Sequence, residues 1–501
     1  MVNWLDKSIA AIWPQRGLER IKARERMSAM STARQVYEGA TVSRRSQGWR
    51  VVSSDANAEI KGASQRLRDV ARDMVRNNPL AARGKQSITV NTVGAGIIPT
   101  IALPANMEKQ RLELERLLVE HFDTTSCDAD GRHDLYGLES LAMGTIVESG
   151  EVLIRMRPRR PEDRLPLPFQ LQVMEPDYLD SSVDGPQPNG NFAVQGVEFN
   201  LIGKRVAYHL FSVHPGAASA YSLPTSTRIP AELVAHVFRS DRPGQARGVP
   251  WFAPVVLRLR DFADYSDAQL IRQKIAACFG AFITTADTHN VETTDGQGTS
   301  DGKPGYSVES LEPGMIERLR PGDSVTFGEP PEVEGYGDYT KAVLREIAAG
   351  LGISYEAFTG DLSGVNFSSG RMGWLEFQRS IDAWRNHMLI PQMCAPVANW
   401  FLDGAAAVLG RRYPAHVMWT PPRREMIDPT KEIPAARNAI RSGLSSRAYE
   451  QRRLGFDPDV LDAEIAASNK RADDLGLILD SDPRKVSLAG TMQTTVELAT
   501  D

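Results

Sequence analysis

Apolar residues recur every three or four positions in several stretches of the chain, and this spacing predicts helices. One such apolar face is formed by Leu67, Val70, Ala71, Met74 and Val75. It predicts a helix over 58–82 with a break at Pro79, because proline has no amide hydrogen and restricts the residue before it. Leucines at the same spacing predict two more helices, over 110–122 and 134–148.

Four short stretches that follow are rich in β-branched and aromatic residues, and they predict strands. They cover residues 151–156, 169–174, 196–199 and 205–211. Gly203 stands between the last two stretches and is a candidate hairpin turn. Helices followed by antiparallel strands are typical of the α+β class.

The second half of the chain returns to helical spacing. The predicted helices begin at Pro254, cover 339–349 with Gly350 as C-terminal cap, and cover 374–408, 429–442 (before Gly443) and 457–475. Pro391 lies inside the long helix over 374–408, which predicts a kink there. Paired Pro-Gly turns predict short strands over 310–330.

Three segments lack periodicity. Residues 284–305 are polar and predict an exposed loop, residues 360–373 are rich in Gly and Ser between two helices, and residues 481–501 are expected to fray. These segments predict connections and a tail rather than core elements.

The charge is unevenly distributed. Over 501 residues the net charge is −5, but the first 50 residues hold ten basic and four acidic groups. A dedicated nucleic-acid coat protein would be strongly basic overall, so that class is excluded. The basic arm suggests contact with an acidic partner, and a solvated surface arm is the alternative.

Cysteine use and hydropathy predict the environment of the protein. The three cysteines, Cys127, Cys278 and Cys394, are too far apart for a CxxC zinc knuckle and favour a reducing compartment. The longest apolar run, over 275–283, is well short of the roughly 18 residues that a membrane-spanning helix needs. We therefore expect a soluble protein without a membrane partner.

The sequence contains no complete nucleotide- or metal-binding motif, which predicts that the protein has no cofactor. The loop around Lys303 has Gln297 and Pro304 where a phosphate-binding loop needs Gly and Ser or Thr. The acidic stretch over 128–134 is similar to a calcium loop but lacks the closing bidentate Glu, which favours a polar turn. No two of the eight histidines have the spacing of a helical zinc pair, and no hydrolase motif is present.

Several short motifs nevertheless occur in one order along the chain. They are RDMVRNNP (72–79), NTVGAG (91–96), CDADGR (127–132), GEV (150–152), EPD (175–177), GVEF (196–199), HVFR (236–239), RPGQARGVPW (242–251), LREIAAGLG (344–352), TGDLSGVNFSS (359–369) and DPTKE (428–432). Because these motifs occur in this order, the chain resembles the lambda-type portal proteins of tailed bacteriophages. The motifs cover residues 72–432, and the loop over 284–305 has no counterpart among them.

The resemblance implies a portal fold with a wing, a two-helix stem, a clip, a channel loop and a helical crown. The implied boundaries are a basic arm (1–57), wing (58–253), first stem helix (254–283), clip (284–336), second stem helix (337–352), channel-loop region (353–373), kinked helix and wing return (374–440), crown (441–480) and flexible tail (481–501).

The resemblance also implies function. It implies a ring of about twelve identical subunits at one capsid vertex, which passes double-stranded DNA without reading its sequence. The implied partners are the large terminase subunit, head-completion or adaptor proteins, and the major capsid and scaffold proteins. The implied location is the virion, with assembly in the host bacterial cytoplasm. A conduit has no catalytic residue of its own.

Candidate site residues follow from this resemblance. In the channel loop they are Ser363, Asn366, Ser368, Ser369 and Arg371. In the clip, as docking residues for the motor and adaptor, they are Lys303, Glu317, Arg318 and Arg320. In the basic arm they are Arg20, Lys22, Arg24 and Arg26.

Two other functions remain open at this stage. A DNA-processing, metal-dependent nuclease would need clustered carboxylates, and Asp128, Asp130 and Asp134 form the dense group in the sequence. A monomeric DNA-binding module is disfavoured by the acidic net charge.

Overall fold

The computed structural model describes residues 52–217, 225–278, 282–285, 323–326, 335–422, 426, 428–479, 482, 484 and 485, with a few isolated positions before residue 52. The chain divides into two units, Met1–Asp55 and Ala56–Asp501. The helices and strands whose bounds are given below all lie in the second unit. The predicted loop over 284–305, most of the strands expected over 310–330 and most of the tail over 481–501 lie outside the described residues.

Four helices lie near the start of the second unit. They are α1 (Ala56–Asn77), α2 (Pro79–Val93), α3 (Glu108–Phe122) and α4 (Leu135–Ser149). The break predicted at Pro79 is confirmed, and the Asn78 side chain accepts the amide hydrogens of Leu80 and Ala81 at 2.9 and 3.2 Å. Asn78 therefore satisfies amide groups that a helix start leaves unpaired, and Pro79 occupies a position where no amide is needed.

Twelve strands are described, and they form four antiparallel sheets within the described residues. The strands are β1 (Ile98–Ala102), β2 (Glu151–Pro158), β3 (Phe169–Met174), β4 (Gly185–Pro186), β5 (Phe192–Val194), β6 (Val197–Phe199), β7 (Arg205–Phe211), β8 (Ser226–Pro230), β9 (Val234–Phe238), β10 (Phe282–Thr285), β11 (Asp323–Thr326) and β12 (His416–Thr420). The sheet orders are β3-β2-β9, β4-β5-β6-β7-β8, β1-β12 and β10-β11.

The four strands predicted in the first half are confirmed, as is the hairpin turn between β6 and β7. Gly203 has a φ of 77°, and its amide donates to the carbonyl oxygen of Asn200 at 2.9 Å. A positive φ is a conformation that glycine adopts without steric cost, which explains why this turn uses it. The mixture of helices and antiparallel sheets confirms the α+β class.

The remaining helices lie in the second half of the chain. They are α5 (Val256–Cys278), α6 (Tyr336–Leu351), α7 (Tyr355–Thr359), α8 (Phe367–Trp384), α9 (Ala395–Leu409), α10 (Pro429–Arg441), α11 (Arg447–Arg453) and α12 (Pro458–Asp474). A π-helical segment, Arg385–Cys394, joins α8 to α9 and contains Pro391. The backbone thus departs from α-helical geometry around the proline where a kink was predicted.

The prediction that Gly350 caps α6 is wrong. The helix continues to Leu351, and Gly352 is the cap, with a φ of 73°. Gly350 has a different role, because a Cβ atom there would overlap the side chain of Val255. The two glycines lie two residues apart, and the sequence alone does not show that Gly350 packs against Val255 while Gly352 ends the helix.

Two apolar clusters hold these elements together. The larger contains residues of α2, α3, α4, α6, α8, the π-helical segment and α9, together with Val152 and Ile154 of β2. The smaller lies on the other face of β2, where Leu153 packs with Met174, Tyr208 and Leu210. Because side chains alternate across a strand, β2 contributes to both clusters.

None of the described helices combines the length and the apolar content that crossing a bilayer requires.

Candidate functional site

The segment between α6 and α8 contains the residues predicted to line a DNA channel. It consists of the short helix α7, capped by the Ser354 hydroxyl, which accepts from Ala357 N at 3.2 Å, and a connection over residues 360–366. Gly360 ends α7 with a φ of 76°. The connection is therefore shorter than the Gly/Ser-rich stretch over 360–373, and the rest of that stretch is the start of α8.

Local hydrogen bonds shape this connection. The Asn366 side chain accepts from Ser369 N at 2.8 Å, and Asn366 N donates to the Ser369 hydroxyl at 3.2 Å. This reciprocal cap starts α8 at Phe367, so Ser368, Ser369 and Arg371 lie on a helix rather than in a loop. The sequence prediction placed them in the loop because glycine and serine disfavour helix interiors, whereas the cap formed by Asn366 outweighs that preference.

Asp361 fixes the other end of the connection. Its carboxylate accepts from Ser363 N and from the Tyr355 hydroxyl, both at 3.0 Å. Hydrogen bonds from the hydroxyl and amide of Ser363, and then from Tyr355, lower the pKa of Asp361 to about 2. Ser363 is exposed, and its amide is already bonded to Asp361. Because the pKa of Asp361 is low, the segment carries a negative charge at neutral pH.

Arg371 is the positive charge of the candidate channel residues. It is half-buried, and within the described residues it makes no ion pair. Two large apolar side chains beside it are more exposed: Leu362 at 68 % and Met372 at 69 %. A pocket of about 350 Å³ lies close by, between the end of α6 and α8, with Gly352 and Phe377 in its lining.

The other predicted site residues are mostly not among those that the structure describes. The clip residues Lys303, Glu317, Arg318 and Arg320 lie outside the described residues, as do Arg20, Arg24 and Arg26 of the arm. Lys22 is described as helical and exposed. The structure therefore brings together only the channel-loop set.

A buried ionic cluster connects motifs that are far apart in the chain. Glu151, at the start of β2, accepts two hydrogen bonds from Arg247 Nε (2.9 and 3.1 Å) and one from Nη2 (2.7 Å). His236 Nε2 lies 2.9 Å from the same carboxylate, and Gly248 N donates to it at 2.8 Å. Arg247 Nη1 donates to the carbonyl oxygen of Gln195 at 2.7 Å.

Charge pairing sets the ionisation of this cluster. Burial by itself would raise the pKa of Glu151, but the charge of Arg247 and the hydrogen bonds from His236 and Arg247 outweigh it and lower the pKa below its usual range. Burial lowers the pKa of His236 despite the opposing effect of Glu151. An ionised carboxylate only accepts hydrogen bonds, so the neutral His236 ring donates from Nε2.

Two glycines allow the cluster to close. A Cβ atom on Gly248 would overlap the carbonyl oxygen of Gly150, and a Cβ atom on Gly150, whose φ is 90°, would overlap the backbone of Val249. The two backbones therefore touch beside the Glu151–Arg247 pair. The resemblance rested in part on these motifs, yet it assigned their residues no role. Two features of the sequence could have pointed to this cluster: a glutamate at the start of an apolar strand and an arginine next to a glycine.

A second ionic group involves Glu175, Asp177 and His214, which in the described residues lie close enough to share a metal ion. Arginines already balance these carboxylates, since Arg72 Nη2 lies 2.5 Å from Asp177 and 3.4 Å from Glu175. Burial would raise the pKa of Asp177, and the hydrogen bond from Arg72 and the charge of Arg68 lower it. The group is therefore an ion-pair network between α1 and the EPD motif.

The acidic stretch over 128–134 forms a turn, as predicted. The Asp128 carboxylate accepts the backbone amides of Asp130, Arg132 and His133 at 2.9 to 3.0 Å. Asp134 caps α4 by accepting from Gly137 N at 2.8 Å. Backbone amides occupy the oxygen atoms that a metal ion would need, so the dense acidic group of the sequence has a structural explanation.

Comparison with known proteins decides the family. The family model described as "Phage portal protein, lambda family" matches residues 42–385, which is more than half of the chain. The chain belongs to the lambda family of phage portal proteins. This match spans the connection before α8, the buried Glu151–Arg247 cluster and the Arg72–Asp177 network, and it confirms the family that the ordered motifs indicated.

Three curated relatives support the assignment. The probable portal protein of Halomonas phage phiHAP-1 is 29 % identical over 471 residues, covering 89 % of this chain and 88 % of its own length. The portal protein of Escherichia phage N15 is 24 % identical, covering 82 % of this chain and 85 % of its own length. Portal protein B of Escherichia phage lambda is 25 % identical over 303 residues, covering 52 % and 55 %.

Solved structures with some similarity come from gene transfer agent (GTA) particles. A chain from the neck of a native GTA particle has a TM-score of 0.44 and 16 % identity, covering 78 % of this chain and 94 % of that one. A chain from the virion of a native GTA particle has a TM-score of 0.43 and 15 % identity, covering 85 % and 99 %.

Proposed function

We propose that this portal protein assembles into a ring of about twelve copies and forms the conduit through which double-stranded DNA enters and leaves a phage capsid. The observation that carries the proposal is the lambda-family match over residues 42–385. In this proposal the ring stands at one capsid vertex of the virion, after assembly in the bacterial cytoplasm.

The proposal assigns several of its domains to described elements. The stem consists of α5 and α6, which contact each other through Tyr265, whose ring centroid lies 5.9 Å from that of Tyr336 and 4.9 Å from that of Tyr339. Arg258 and Glu346 add an ion pair at 3.1 Å. The wing comprises α1–α4 with the sheets that contain β2–β9, and the crown comprises α11 and α12.

Apolar exposure on the proposed stem supports self-association. On α5, Leu257 is 73 % exposed, and Leu270 and Ile271 are 49 % and 56 % exposed. Large apolar side chains on one helix are more stable in contact with another protein surface than in water. In a ring each subunit covers such a face on its neighbour, because a head-to-tail contact repeats until the ring closes.

The connection over 360–366 and the start of α8 form the proposed channel loop. Asn366 and Ser369 bond mainly to each other, and Asp361 is ionised, so the segment offers few strong donors to phosphate. Arg371 supplies one positive charge per subunit. A ring of weak contacts to phosphate oxygens holds DNA without sequence readout and allows it to slide.

The remaining partners belong to the proposal through the family. The clip, over residues 284–336, docks the large terminase subunit during packaging and head-completion or adaptor proteins afterwards. The wing contacts the major capsid and scaffold proteins. In this proposal the ring itself does not hydrolyse ATP, and ATP turnover by the purified protein that Lys303→Ala abolishes would contradict that part.

Electron microscopy of the purified full-length protein tests the ring. We expect ring-shaped particles with a central hole and about twelvefold symmetry, and a charged substitution in the exposed stem face, Leu257→Asp, should reduce their number. The control is Arg260→Asp, which adds an aspartate at an exposed position without removing an apolar group. A monomer at all concentrations would contradict the proposal.

Packaging by a phage that carries the variant protein tests the channel loop. Arg371→Glu should leave ring formation intact but reduce the packaged or retained DNA, because a ring of added negative charge repels the duplex. Arg379→Glu, at an exposed position further along α8, makes the same charge change as a control. Equal infectivity of both variants and the unmodified phage would remove the role of this segment in the channel.

Among the described residues, the carboxylates that the nuclease alternative would use have other partners. Its candidate carboxylates form the Asp128 turn, and the Glu175–Asp177–His214 group is balanced by arginines.

A further inference from the structure

One face of the three-stranded sheet bears a row of arginines to which the proposed channel gives no role. Arg155 and Arg157 are two residues apart on β2, and Arg159 follows directly after the strand. Arg159 N donates to the carbonyl oxygen of Pro168 at 2.8 Å, so the pairing with the segment before β3 continues past Pro158. Side chains at every second position share a face, and their Cα atoms lie about 6.8 Å apart.

Glutamines of β3 hold two of these arginines in place. Arg157 Nε donates to Gln172 Oε1 at 2.8 Å, and Arg159 Nε donates to Gln170 Oε1 at 2.7 Å. Gln170 is itself fixed, because its amide nitrogen donates to the carbonyl oxygens of Ser126 and Asp128 at 3.0 and 2.8 Å. Each glutamine occupies the Nε–H group and leaves the outer guanidinium nitrogens available.

The row lacks a directly paired carboxylate within the described residues. None of Arg155, Arg157 and Arg159 forms an ion pair there, although Asp163 and Glu162 lie on the turn that follows. The Nε atom of Arg155 is buried without a hydrogen-bond partner among those residues. Burial and the neighbouring charge of Arg157 lower the pKa of Arg155. Positive charges are thus held side by side without an ion-pair partner among the described residues.

The chain on either side of the row is polar at the surface. From Leu141 to Phe192 every residue is described, and between these two no large apolar side chain is exposed. Arg160 and Arg164, on the following turn, are exposed and extend the positive charge. Protein interfaces rely on buried aromatic or aliphatic anchors, whereas DNA interfaces are more polar and more positively charged.

We propose that this arginine row binds the phosphate backbone of double-stranded DNA on the surface of the subunit, apart from the channel segment. The proposal rests on the function as a portal protein, which brings the subunit into contact with DNA. Guanidinium groups bind phosphate oxygens in pairs, and such contacts fix the position of a duplex without selecting its sequence.

Fluorescence anisotropy with the purified full-length protein and two short labelled duplexes of unrelated sequence tests the site. The variant Arg155→Gln/Arg157→Gln/Arg159→Gln should bind both duplexes about tenfold more weakly or worse. The slope of log affinity against log salt should fall by about 0.9 for each phosphate that the variant no longer neutralises. The control Arg66→Gln/Arg83→Gln/Arg116→Gln removes the same charge from exposed positions on α1, α2 and α3.

The outcomes separate this site from the proposed ring. If the row variant still forms rings and binds DNA more weakly than the control variant, the site is supported. Equal affinity of the two variants, or competition by polyglutamate as strong as competition by unlabelled DNA, would overturn it. Absence of rings from the unmodified protein would count against the conduit and not against the arginine row.

Discussion

Glu139 and Glu151 are both fully buried carboxyl groups in the same part of the molecule, yet their pKa values shift in opposite directions. Glu139, on α4, accepts from Ile97 N at 2.7 Å and lies 3.8 Å from the Cys394 sulfur. Burial raises its pKa to about 8, because these neutral groups only partly oppose desolvation. Glu151 has Arg247 and His236 around it, and its pKa is lowered.

The difference shows that burial alone does not determine the charge of a buried acid. Glu139 is neutral at pH 7 and behaves as a polar member of the helical core. Glu151 is charged and fixes Arg247, and through it the carbonyl of Gln195, beside the sheet. The arrangement around Glu139 lowers the stability of the fold at high pH, whereas the arrangement around Glu151 lowers it when a charged partner is removed.

The largest expected effect concerns the pH dependence that Glu139 imposes. Below pH 4.5 Glu139 is protonated in both the folded and the unfolded protein. Between pH 4.5 and 8 only the unfolded protein releases this proton, so the free energy of unfolding falls as the pH rises. The full shift corresponds to a loss of up to about 5 kcal/mol. Glu139→Gln should remove this loss, as measured by urea denaturation across that range.

The control for this experiment is Glu113→Gln, at an exposed position on α3, which should leave the pH profile unchanged. A Glu139→Gln profile parallel to that of the unmodified protein would mean that the two buried acids do not differ in the way described.

The second prediction tests the paired acid. Arg247→Ala leaves Glu151 buried and charged without its main partner, and we expect a loss of about 3 to 5 kcal/mol in the free energy of unfolding, measured by urea denaturation. The double variant Glu151→Gln/Arg247→Met should lose less than the single one, because no unpaired charge remains. A double variant as unstable as the single one would show that shape, and not charge, dominates the cluster.

A buried base provides the third test. His121 is fully buried, neither of its ring nitrogens has a hydrogen-bond partner within the described residues, and burial lowers its pKa to about 4. The unfolded chain takes up a proton below pH 6.5, so stability is lost as pH falls from 6.5 to 4, by about 3 kcal/mol. His121→Leu should flatten this acid side of the stability curve.

For His121 the matched control is His416→Leu, since His416 is exposed. If the stability of His121→Leu still fell as steeply towards low pH as that of the unmodified protein, the His121 ring would have to be protonated in the folded protein. Compared with the result for Glu139, this result shows whether a buried acid without a charged partner lowers stability at high pH and a buried base without a partner lowers it at low pH.

The smallest effect is expected outside the core, where polar groups bond locally. Asn366→Ala removes the cap that starts α8 and should lower the free energy of unfolding by about 1 kcal/mol with little dependence on pH. Asn366→Asp keeps an acceptor and should retain most of the stability. A loss as large as that of Arg247→Ala would erase the distinction between exposed and buried polar groups.

Local patterns predicted the fold where the responsible contacts are close in sequence. The break at Pro79, the turn at Gly203 and the end of α10 near Gly443 depend on a few neighbouring residues, and all are confirmed. The start of α8 was placed several residues too late because the reciprocal cap of Asn366 and Ser369 lacks the usual glutamate.

The candidate clusters depended on contacts that spacing does not reveal. Glu151 and Arg247 are 96 positions apart, and nothing in either motif states that they meet. The short strands β1 and β12 were missed for the same reason, because each is paired only by the other among the described strands. The order of the motifs in the sequence identified the family, whereas the structure was needed to see which motifs contact each other.

The pairing of β1 with β12 has a consequence for synthesis on the ribosome. Ile98 pairs with Thr420, and Arg385 donates to the carbonyl oxygens of Asn91 and Thr92 at the end of α2. Protein synthesis proceeds at about 5 to 20 residues per second, so β1 waits on the order of 15 to 60 s for its partner. During that interval the nascent chain lacks the strand that covers this edge, and unpaired strand edges are sites at which incomplete chains aggregate.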